Sequence, residues 1–337
     1  MSGADDREDV RRAAIDAVTE FVTDRCADDL RLTGVDVTVD VLSDFVSDGK
    51  CLRSTFAYLG RLAGAAPDDA ALRAAASFDP LHVFALLQDD VMDDSPPRRG
   101  RPAAHVRFAQ WHRDNGLNGS AERFGASAAV LLGDLCLVWA GQMMRESGLG
   151  DRALGRAWPR YDAMRTELAV GQFADLVNDA GGRPTLEDVL DVARRKSGNC
   201  TVRRPLEIGG ALAGCPEATL GLLGHYGAAV GEAFQLRDDL LGIFGAPTVT
   251  GKPAGGDLSE PSVRNQLTEL MSRRDLDASD ITRRQHLTAA TGAVQWIEQL
   301  IDRRLSHALE RIHTSPLDDT VRTALVNTAT VCTQRAA

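Results

Sequence analysis

Residues 81–102 read LHVFALLQDDVMDDSPPRRGRP, and this stretch decides how the rest of the chain is interpreted. Four aspartates, Asp89, Asp90, Asp93 and Asp94, stand at the polar end of an apolar run. On a helix, Asp89 and Asp93 lie one turn apart on one face, so their carboxylates repel each other. Mg²⁺ suits such a pair because it takes one or two carboxylates and completes its shell with water and phosphate oxygens. The pattern therefore predicts a metal site at a helix end.

Three arginines follow the acidic cluster after a Pro-Pro break. Arg98, Arg99 and Arg101 carry planar guanidinium groups, which match phosphate oxygens in a bidentate way. An acidic cluster followed by a basic one is the layout of a diphosphate site. A solvated helix end gives the same pattern, so the rest of the chain has to decide between the two interpretations.

Composition indicates a soluble, helical protein. Of the 337 residues, 44% are hydrophobic and 26% charged, and the low aromatic content of 5% in a chain rich in Ala, Leu and Arg favours helix over sheet. The formal net charge of −10 argues against a nucleic-acid partner. No window approaches about 18 uninterrupted apolar residues, so we expect no stable membrane insertion.

The cysteines and the first residues predict a cytoplasmic location. The six cysteines are scattered without a CxxC spacing, and the opening MSGADDREDVRR has no apolar segment of the kind that a signal peptide requires. We therefore expect reduced thiols. The seven histidines show no metal-ligand spacing.

Apolar periodicity predicts an all-α fold in a single domain of residues 10–335, with a flexible N-terminus at 1–9. Pro80 is expected to kink or divide one long helix, residues 35–46 to form a loop or a helix start, and residues 102–119 to be irregular. We find no convincing strand pair. The predicted helices span about 8–32, 49–62, 70–94, 121–146, 152–177, 186–213 and 217–244, with two or three more up to residue 332.

The second half of the chain supplies a matching set of groups. Asp238 and Asp239 end an apolar helix in EAFQLRDDLLGIFG (232–245), with Gln235 one turn before them. Two acidic helix ends can face one another across a bundle and hold metals between them. Further candidates are Lys196 and Ser197, the pair Lys50 and Arg53 in DGKCLRS, the pair Gln172 and Asp175, and Lys252 in the loop after residue 245.

Together these motifs resemble the head-to-tail trans-isoprenyl diphosphate synthases, or polyprenyl synthetases, over about residues 10–330. DDVMDDSPPRRGRP looks like the first aspartate-rich motif of that family and QLRDDLLGIFG like the second. DGKCLRS, MRTELAVGQFADL and RRKSGNCTVRRPL are similar to its other motifs. The resemblance implies an isoprenoid-synthase-type helical bundle with a central cavity and a homodimer. It also implies Mg²⁺-dependent coupling, with up to three ions, of isopentenyl diphosphate to an allylic diphosphate.

The resemblance also implies roles for individual residues. Asp89, Asp93 and Asp238 would ligate Mg²⁺, and Asp90, Asp239 and Lys196 would join them as catalytic residues. The allylic diphosphate would be held by Arg98, Lys196, Ser197, Gln235 and Lys252. Isopentenyl diphosphate would be held by Lys50, Arg53, His82 and Arg99. His82 alone in an apolar run reads as a core residue, and only the resemblance gives it a role.

Three positions depart from the family pattern. Gly242 stands where the fullest second motif has a third aspartate, and Cys51 replaces a common arginine. Ser262 lies near the position of a lysine that reaches the allylic diphosphate, with Arg264 as a possible substitute. These departures point to altered binding, another substrate or reduced catalysis.

Product length in this family depends on what blocks the apolar channel below the first motif. On a helix Ala85 lies one turn, about 6 Å, below Asp89 and Leu81 two turns, about 12 Å. Small Ala85 leaves the first turn open, while Phe84 is offset and narrows the channel in part. The expected product is C15 to C20, with geranylgeranyl diphosphate slightly favoured.

Three other functions stay open at this point. A class I terpene cyclase shares the fold and the first motif, but DDLLGIFG does not fit its second metal motif. A non-catalytic regulatory subunit of a synthase would explain Gly242 and Ser262. A helical scaffold with chance acidic clusters is the third.

Overall fold

A computed structural model of the chain describes residues 3–47, 49–95, 97–98, 101–181, 184–244 and 278–334, and for residues 3–6, 97–98 and 278 it describes the backbone alone. Within these ranges the fold is all-α, as predicted. The helices are α1 Gly3–Phe21, α2 Ala27–Leu32, α3 Val37–Ser47, α4 Leu52–Leu62, α5 Asp69–Ala76, α6 Phe78–Met92, α7 Ala104–Asp114, α8 Ala121–Arg145, α9 Asp151–Asp179, α10 Leu186–Ala193, α11 Arg204–Ala213, α12 Glu217–Phe244, α13 Ala278–Ala290, α14 Ala293–His313 and α15 Asp319–Thr333. Two π-helical segments, Val22–Cys26 and Arg194–Arg203, join α1 to α2 and α10 to α11.

Two sequence predictions on secondary structure are wrong. Residues 102–119 were expected to be irregular, but α7 occupies Ala104–Asp114, where Ala104, Phe108 and His112 recur every four residues on a buried face. The stretch contains few apolar residues, so this periodicity is difficult to recognise in the sequence. A strand pair also exists: β1 (Pro97–Arg98) pairs antiparallel with β2 (Arg101–Pro102). The open choice at residues 35–46 resolves as a helix, α3.

Pro80 divides the long helix predicted for residues 70–94. Helix α5 ends at Ala76 and α6 begins at Phe78. A proline ring clashes with the carbonyl four residues earlier and cannot donate a hydrogen bond to it. For Pro80 that carbonyl belongs to Ala76, so the break falls where the ring demands it. The division turns α6, with its aspartates, into a separate element.

The helices around the centre pack in pairs and leave a space between α6 and α9. Helix α6 packs on α8, whereas α9 packs on α11 and on the π-helical Arg194–Arg203, which we call the Lys196 segment. Helix α12 packs against the Lys196 segment and α14, and α4 packs against α11. The motifs carried by α4, α6, α9, the Lys196 segment and α12 therefore surround one central space.

Two further expectations concern the domain boundary at residue 10 and membrane insertion. Helix α1 begins at Gly3 and so crosses the domain boundary predicted at residue 10. Two stretches, Asp69–Met92 and Ala121–Arg145, are long and apolar enough to cross a membrane by length and composition alone, and 56% and 44% of them is buried within the molecule. Buried core helices meet the same criterion, so these two stretches are only weak evidence for a membrane span.

Candidate active site

A cavity of about 330 Å³ occupies the central space. Its walls combine charged and apolar side chains. Residues from motifs up to 188 positions apart in the chain meet here. The lining includes the predicted residues Lys50, Arg53, His82, Ala85, Asp89, Gln172, Lys196, Ser197, Gln235 and Asp238, together with Cys51, Leu52, Asp79, Leu86, Leu168, Thr201 and Phe234.

Lys196 lies between two carboxylates on opposite sides of the cavity. Its Nζ atom is 3.0 Å from Asp89 Oδ1 on α6 and 2.5 Å from Asp175 Oδ2 on α9. Burial lowers the pKa of Lys196, but the hydrogen bond and charge of Asp175 and the charge of Asp89 outweigh it and raise the pKa above its ordinary value. The lysine is therefore a fixed cation that links the two walls.

The neighbouring carboxylates are held in an unfavourable environment for their charge. Desolvation and the charge of Asp89 raise the pKa of Asp93, and Lys196 offsets this only in part. Desolvation also raises the pKa of Asp239, helped by the charges of Asp238 and Asp175, although Gln235 donates a 2.8 Å hydrogen bond to it. Such crowded carboxylates call for an additional cation.

The carboxylates of the cavity fit a metal ion that is bound partly by the protein and partly by a substrate. Among the side chains that the structure describes, no group of three or more His, Cys, Asp or Glu residues could hold a metal ion by itself. Mg²⁺ needs no such cage, because one or two carboxylates, water and substrate phosphate oxygens complete its octahedral shell. Asp89, which lines the cavity beside Lys196, and Asp238 across from it can supply those carboxylates.

Several predicted residues lie elsewhere. Asp90 is buried, with 1% of its surface exposed, and it does not line the cavity, because its side chain points about 100° away from that of Asp89 around α6. Leu81 packs in the apolar core with Phe78 and Tyr161 rather than at a cavity wall. Arg99, Lys252, Ser262 and Arg264 lie outside the described residues, as does the side chain of Arg98.

The hairpin that carries the arginine pair is tied to the body of the protein. Strand residue Arg98 pairs with Arg101 in the backbone register. The side chain of Arg101 turns to Asp44 on α3 at 2.9 Å, and Arg107 on α7 binds the other oxygen of Asp44 at 2.7 Å. Arg101, expected within the basic cluster, therefore anchors the loop.

Close helix packing fixes the Lys196 segment. A Cβ atom on Gly198 would lie 2.8 Å from the carbonyl oxygen of Gly231 on α12, and one on Gly171 would lie 2.6 Å from the backbone nitrogen of Lys196. Only glycine permits these approaches from α9 and α12. Wide π-helical turns of this kind are frequent at functional sites. They place Lys196 and Ser197 together on the cavity wall.

The basic side of the cavity contains a residue that the sequence interpretation missed. Lys50, Arg53 and His82 line the cavity, and so does Asp79. Asp79 precedes His82 by three residues and shares its helix face, which is the signal that could have identified it. Ser54 donates a 2.7 Å hydrogen bond to Asp79 Oδ2.

A second, mostly apolar cavity of about 280 Å³ runs along the gap between α6 and α9. It shares Ala85, Asp89, Leu168 and Gln172 with the first cavity. Its remaining walls are Phe84, Gln88, Met92, Ala169, Phe173 and Leu176. Ala85 is therefore the small residue on α6 that borders both spaces.

Comparison with known proteins finds the family that the sequence motifs resemble. The family profile described as polyprenyl synthetase matches residues 36–300. The geranylgeranyl diphosphate synthase of Mycobacterium tuberculosis is 29% identical over 296 residues, which is 82% of this chain and 77% of that protein. A (2E,6E)-farnesyl diphosphate synthase of the same organism is 32% identical over 210 residues, 62% of this chain and 53% of that protein.

Solved structures agree with these sequence matches. The crystal structure of geranylgeranyl pyrophosphate synthase from Corynebacterium glutamicum, complexed with isoprenyl diphosphate and magnesium, superimposes with a TM-score of 0.86. That protein is 33% identical, and the match covers 97% of this chain and 98% of the other.

Proposed function

Because this chain belongs to the polyprenyl synthetase family of prenyltransferases, we propose that it joins isopentenyl diphosphate to an allylic diphosphate in its central cavity. One observation carries the proposal. The acidic and cationic groups around Asp89, Lys196 and Asp238 share a single cavity with the basic group of Lys50 and Arg53. Two diphosphates can therefore bind at one space with their hydrocarbon parts between them.

The acidic region is proposed to bind the allylic diphosphate with Mg²⁺. Asp89, Asp93 and Asp238 would hold the metal, and Lys196, Ser197 and Gln235 would contact the diphosphate, with Arg98 and Lys252 as the proposed contacts outside the described side chains. Bound Mg²⁺ would neutralise charge that develops on the departing diphosphate. The Corynebacterium relative, whose crystal structure contains isoprenyl diphosphate and magnesium, supports this assignment.

The residues of the cavity account for the chemistry between the two substrates. Lys196 stabilises the departing diphosphate anion as the allylic carbon–oxygen bond breaks. Leu168 and Phe234 form apolar walls that keep water from the resulting carbocation. Lys50, Arg53 and His82, with Arg99, orient isopentenyl diphosphate so that its alkene attacks that carbocation. The released diphosphate accepts the proton that leaves in the last step.

We propose a product of C15 to C20, with C20 slightly favoured. Ala85 opens the wall of the main cavity towards the second, apolar cavity, where a growing prenyl chain could extend. Phe84 and Phe173 limit that space. Curated relatives that make geranylgeranyl and farnesyl diphosphate support this range.

Two broader assignments complete the proposal. All six cysteines are free, five of them buried, which fits a protein of the reducing cytoplasm. Exposed apolar rows on α8 (Leu131, Val138) and α9 (Val170, Phe173, Val177) support a homodimer.

The decisive experiment incubates the purified protein with labelled isopentenyl diphosphate, Mg²⁺ and dimethylallyl, geranyl or farnesyl diphosphate in turn. We expect a C15 or C20 diphosphate whose formation stops when EDTA is added. Asp238→Asn should abolish turnover, whereas Asp302→Asn, a matched change on the exposed face of α14, should not. A hydrocarbon formed without isopentenyl diphosphate would establish a cyclase instead. Absence of turnover with every primer would favour a regulatory subunit.

A further inference from the structure

Asp79 is a cavity residue to which the proposed binding sets give no task. It lies in the first turn of α6, opposite the first turn of α4. Its carboxylate accepts a 2.7 Å hydrogen bond from Ser54 Oγ. Ser54 directly follows Arg53 in the sequence, so Asp79 holds the turn from which Arg53 projects.

Arg53 itself contacts the Lys196 segment and shares the cavity wall with Asp79. Its Nη2 atom lies 3.6 Å from the Sγ atom of buried Cys200, whose thiol is 3.3 Å from the carbonyl oxygens of Lys196 and Ser197. Burial raises the pKa of Asp79 to about 6, while the hydrogen bond from Ser54 and, as the smallest effect, the charge of Arg53 lower it. A carboxylate anchored to the residue next to Arg53 attracts the guanidinium and so restricts where it points.

The loop before α4 has matching anchors. Arg11 on α1 donates a 3.0 Å hydrogen bond to the carbonyl of Gly49. Cys51 adopts a left-handed backbone conformation with φ of 47°, which costs energy for a residue other than glycine. The Cys51 thiol lies 3.6 Å from the carbonyl oxygen of Gly49, and both Lys50 and Cys51 line the cavity. The cysteine that departs from the family pattern is thus buried in the cavity wall.

We propose that Asp79 is a positioning residue that orients Arg53 for the diphosphate of the homoallylic substrate. The inference rests on the proposed function, because it takes Lys50 and Arg53 as the isopentenyl diphosphate contacts. Asp79 acts through Arg53 and the first turn of α4 and does not touch the substrate. A carboxylate in direct contact with a diphosphate would repel it, which is consistent with a role behind the guanidinium.

Steady-state kinetics of Asp79→Asn test this role. The amide keeps the size of the side chain and an acceptor for Ser54 but removes the charge beside Arg53. We expect KM for isopentenyl diphosphate to rise about fivefold to tenfold, the scale of a lost charge-assisted contact, with kcat and KM for the allylic substrate within about twofold. Asp69→Asn, an exposed aspartate in the first turn of α5, is the matched control and should leave all three constants unchanged.

A double-mutant cycle with Arg53→Lys separates positioning from a general loss of structure. If Asp79 acts through Arg53, Asp79→Asn adds little to the KM of the Arg53→Lys variant. The proposal would be overturned if the two substitutions changed KM for isopentenyl diphosphate independently, so that their effects added. It would also be overturned if Asp79→Asn lowered kcat equally whichever of the two substrates is varied.

The same data distinguish the proposal from its premise. If Arg53→Lys leaves KM for isopentenyl diphosphate unchanged while the native protein turns over, the assignment of the subsite fails. If Arg53→Lys raises that KM and Asp79→Asn does not, only the role of Asp79 fails.

Discussion

The carboxyl group of Asp79 lies where burial disfavours its charged form. We therefore expect Asp79 to lower the stability of the folded protein at neutral pH while it improves substrate binding. Burial raises its pKa from the ordinary value of 3.8 to about 6. Between these values the folded protein binds more protons at this site than the unfolded chain does. The stabilising contribution of Asp79 is therefore complete below pH 3.8 and is lost as pH rises through about 6.

Asp79→Asn should consequently raise the free energy of unfolding at neutral pH while it impairs substrate binding. Asparagine carries no charge to desolvate, and we expect a gain on the order of 1–2 kcal/mol above pH 6, allowing for contact of the carboxyl with the open cavity. Urea unfolding at pH values from 5 to 8 measures the difference, which should grow with pH up to about 6. A variant that is less stable than the native protein at pH 8 would contradict the argument.

Ala85 is expected to control product length because it borders both cavities. Ala85→Phe places a ring where the chain would pass one turn below Asp89, so we expect the product to become shorter by at least one C5 unit. Chromatography of the labelled products measures the distribution. Ala163→Phe is the control, because Ala163 lies on the exposed face of α9 and lines neither cavity. An unchanged profile for Ala85→Phe would remove Ala85 as the floor of the channel.

Single residues could be chosen from the sequence when their neighbours along the helix were informative. Asp89 and Asp238 were chosen from charge at the end of an apolar run and Lys196 from the pattern of motifs that it joins, and the structure brings the three to one cavity. The sequence did not indicate which of Asp89 and Asp90 faces the cavity, because two adjacent aspartates on a helix point about 100° apart. Cys51 looked like a missing contact because its left-handed backbone conformation is not visible in the sequence.

At the scale of elements, the Lys196 segment depends on glycines that allow backbones to touch. Gly198→Ala would bring a Cβ atom within 2.8 Å of the carbonyl oxygen of Gly231, and neither backbone can yield without separating the Lys196 segment from α12. We expect a loss of about 1–3 kcal/mol in the free energy of unfolding. Activity should fall further than this loss explains, because Lys196 would move away from Asp238.

The matched control is Gly155→Ala on α9, where an added Cβ atom meets no other atom within 4 Å. Alanine is favoured over glycine within a helix, so this variant should gain about 0.5–1 kcal/mol and keep full activity. Thermal unfolding, with activity measured well below the transition, tests both variants. Equal activity losses in the two would refute the role of the Gly198 contact.

Elements with strong apolar periodicity were predicted well, and those held by tertiary contacts were not. Helix α12 has the predicted bounds, Glu217–Phe244, because a long apolar pattern fixes it. Helix α7 was missed, since polar residues dominate it and its stability comes from packing on α8. The π-helical turns of the Lys196 segment arise from contacts with α9 and α12, which no local pattern records.

At the scale of the whole molecule, the order of motifs along the chain predicted the site better than any single motif did. Lys50 and Asp238 meet only because the helices between them form a bundle, and periodicity alone does not say which helix faces which. The resemblance to a family supplied that arrangement. The second cavity could not be predicted from the sequence, because its shape depends on the distance between α6 and α9.

The exposed apolar row on α9 leads to a prediction about assembly. Val170, Phe173 and Val177 recur along one side of the helix, and 64% of the surface of Val177 is exposed. Water-exposed apolar side chains in such a row are typical of an interface between subunits. The native protein should therefore have twice the 36.2 kDa mass of one chain in solution.

Val177→Glu should shift this mass towards that of one chain, because a carboxylate buried between two copies without a partner is unfavourable. Light scattering after gel filtration measures the change. Leu32→Glu, at an 85% exposed position on α2, is the control and should leave the mass unaltered. Phe173 forms part of both the exposed row and the second cavity, so a partner on this face would cover the outer wall of that cavity. We therefore expect the monomeric variant to release a different range of product lengths, and a monomer with the native product range would show that the cavity is closed within one chain.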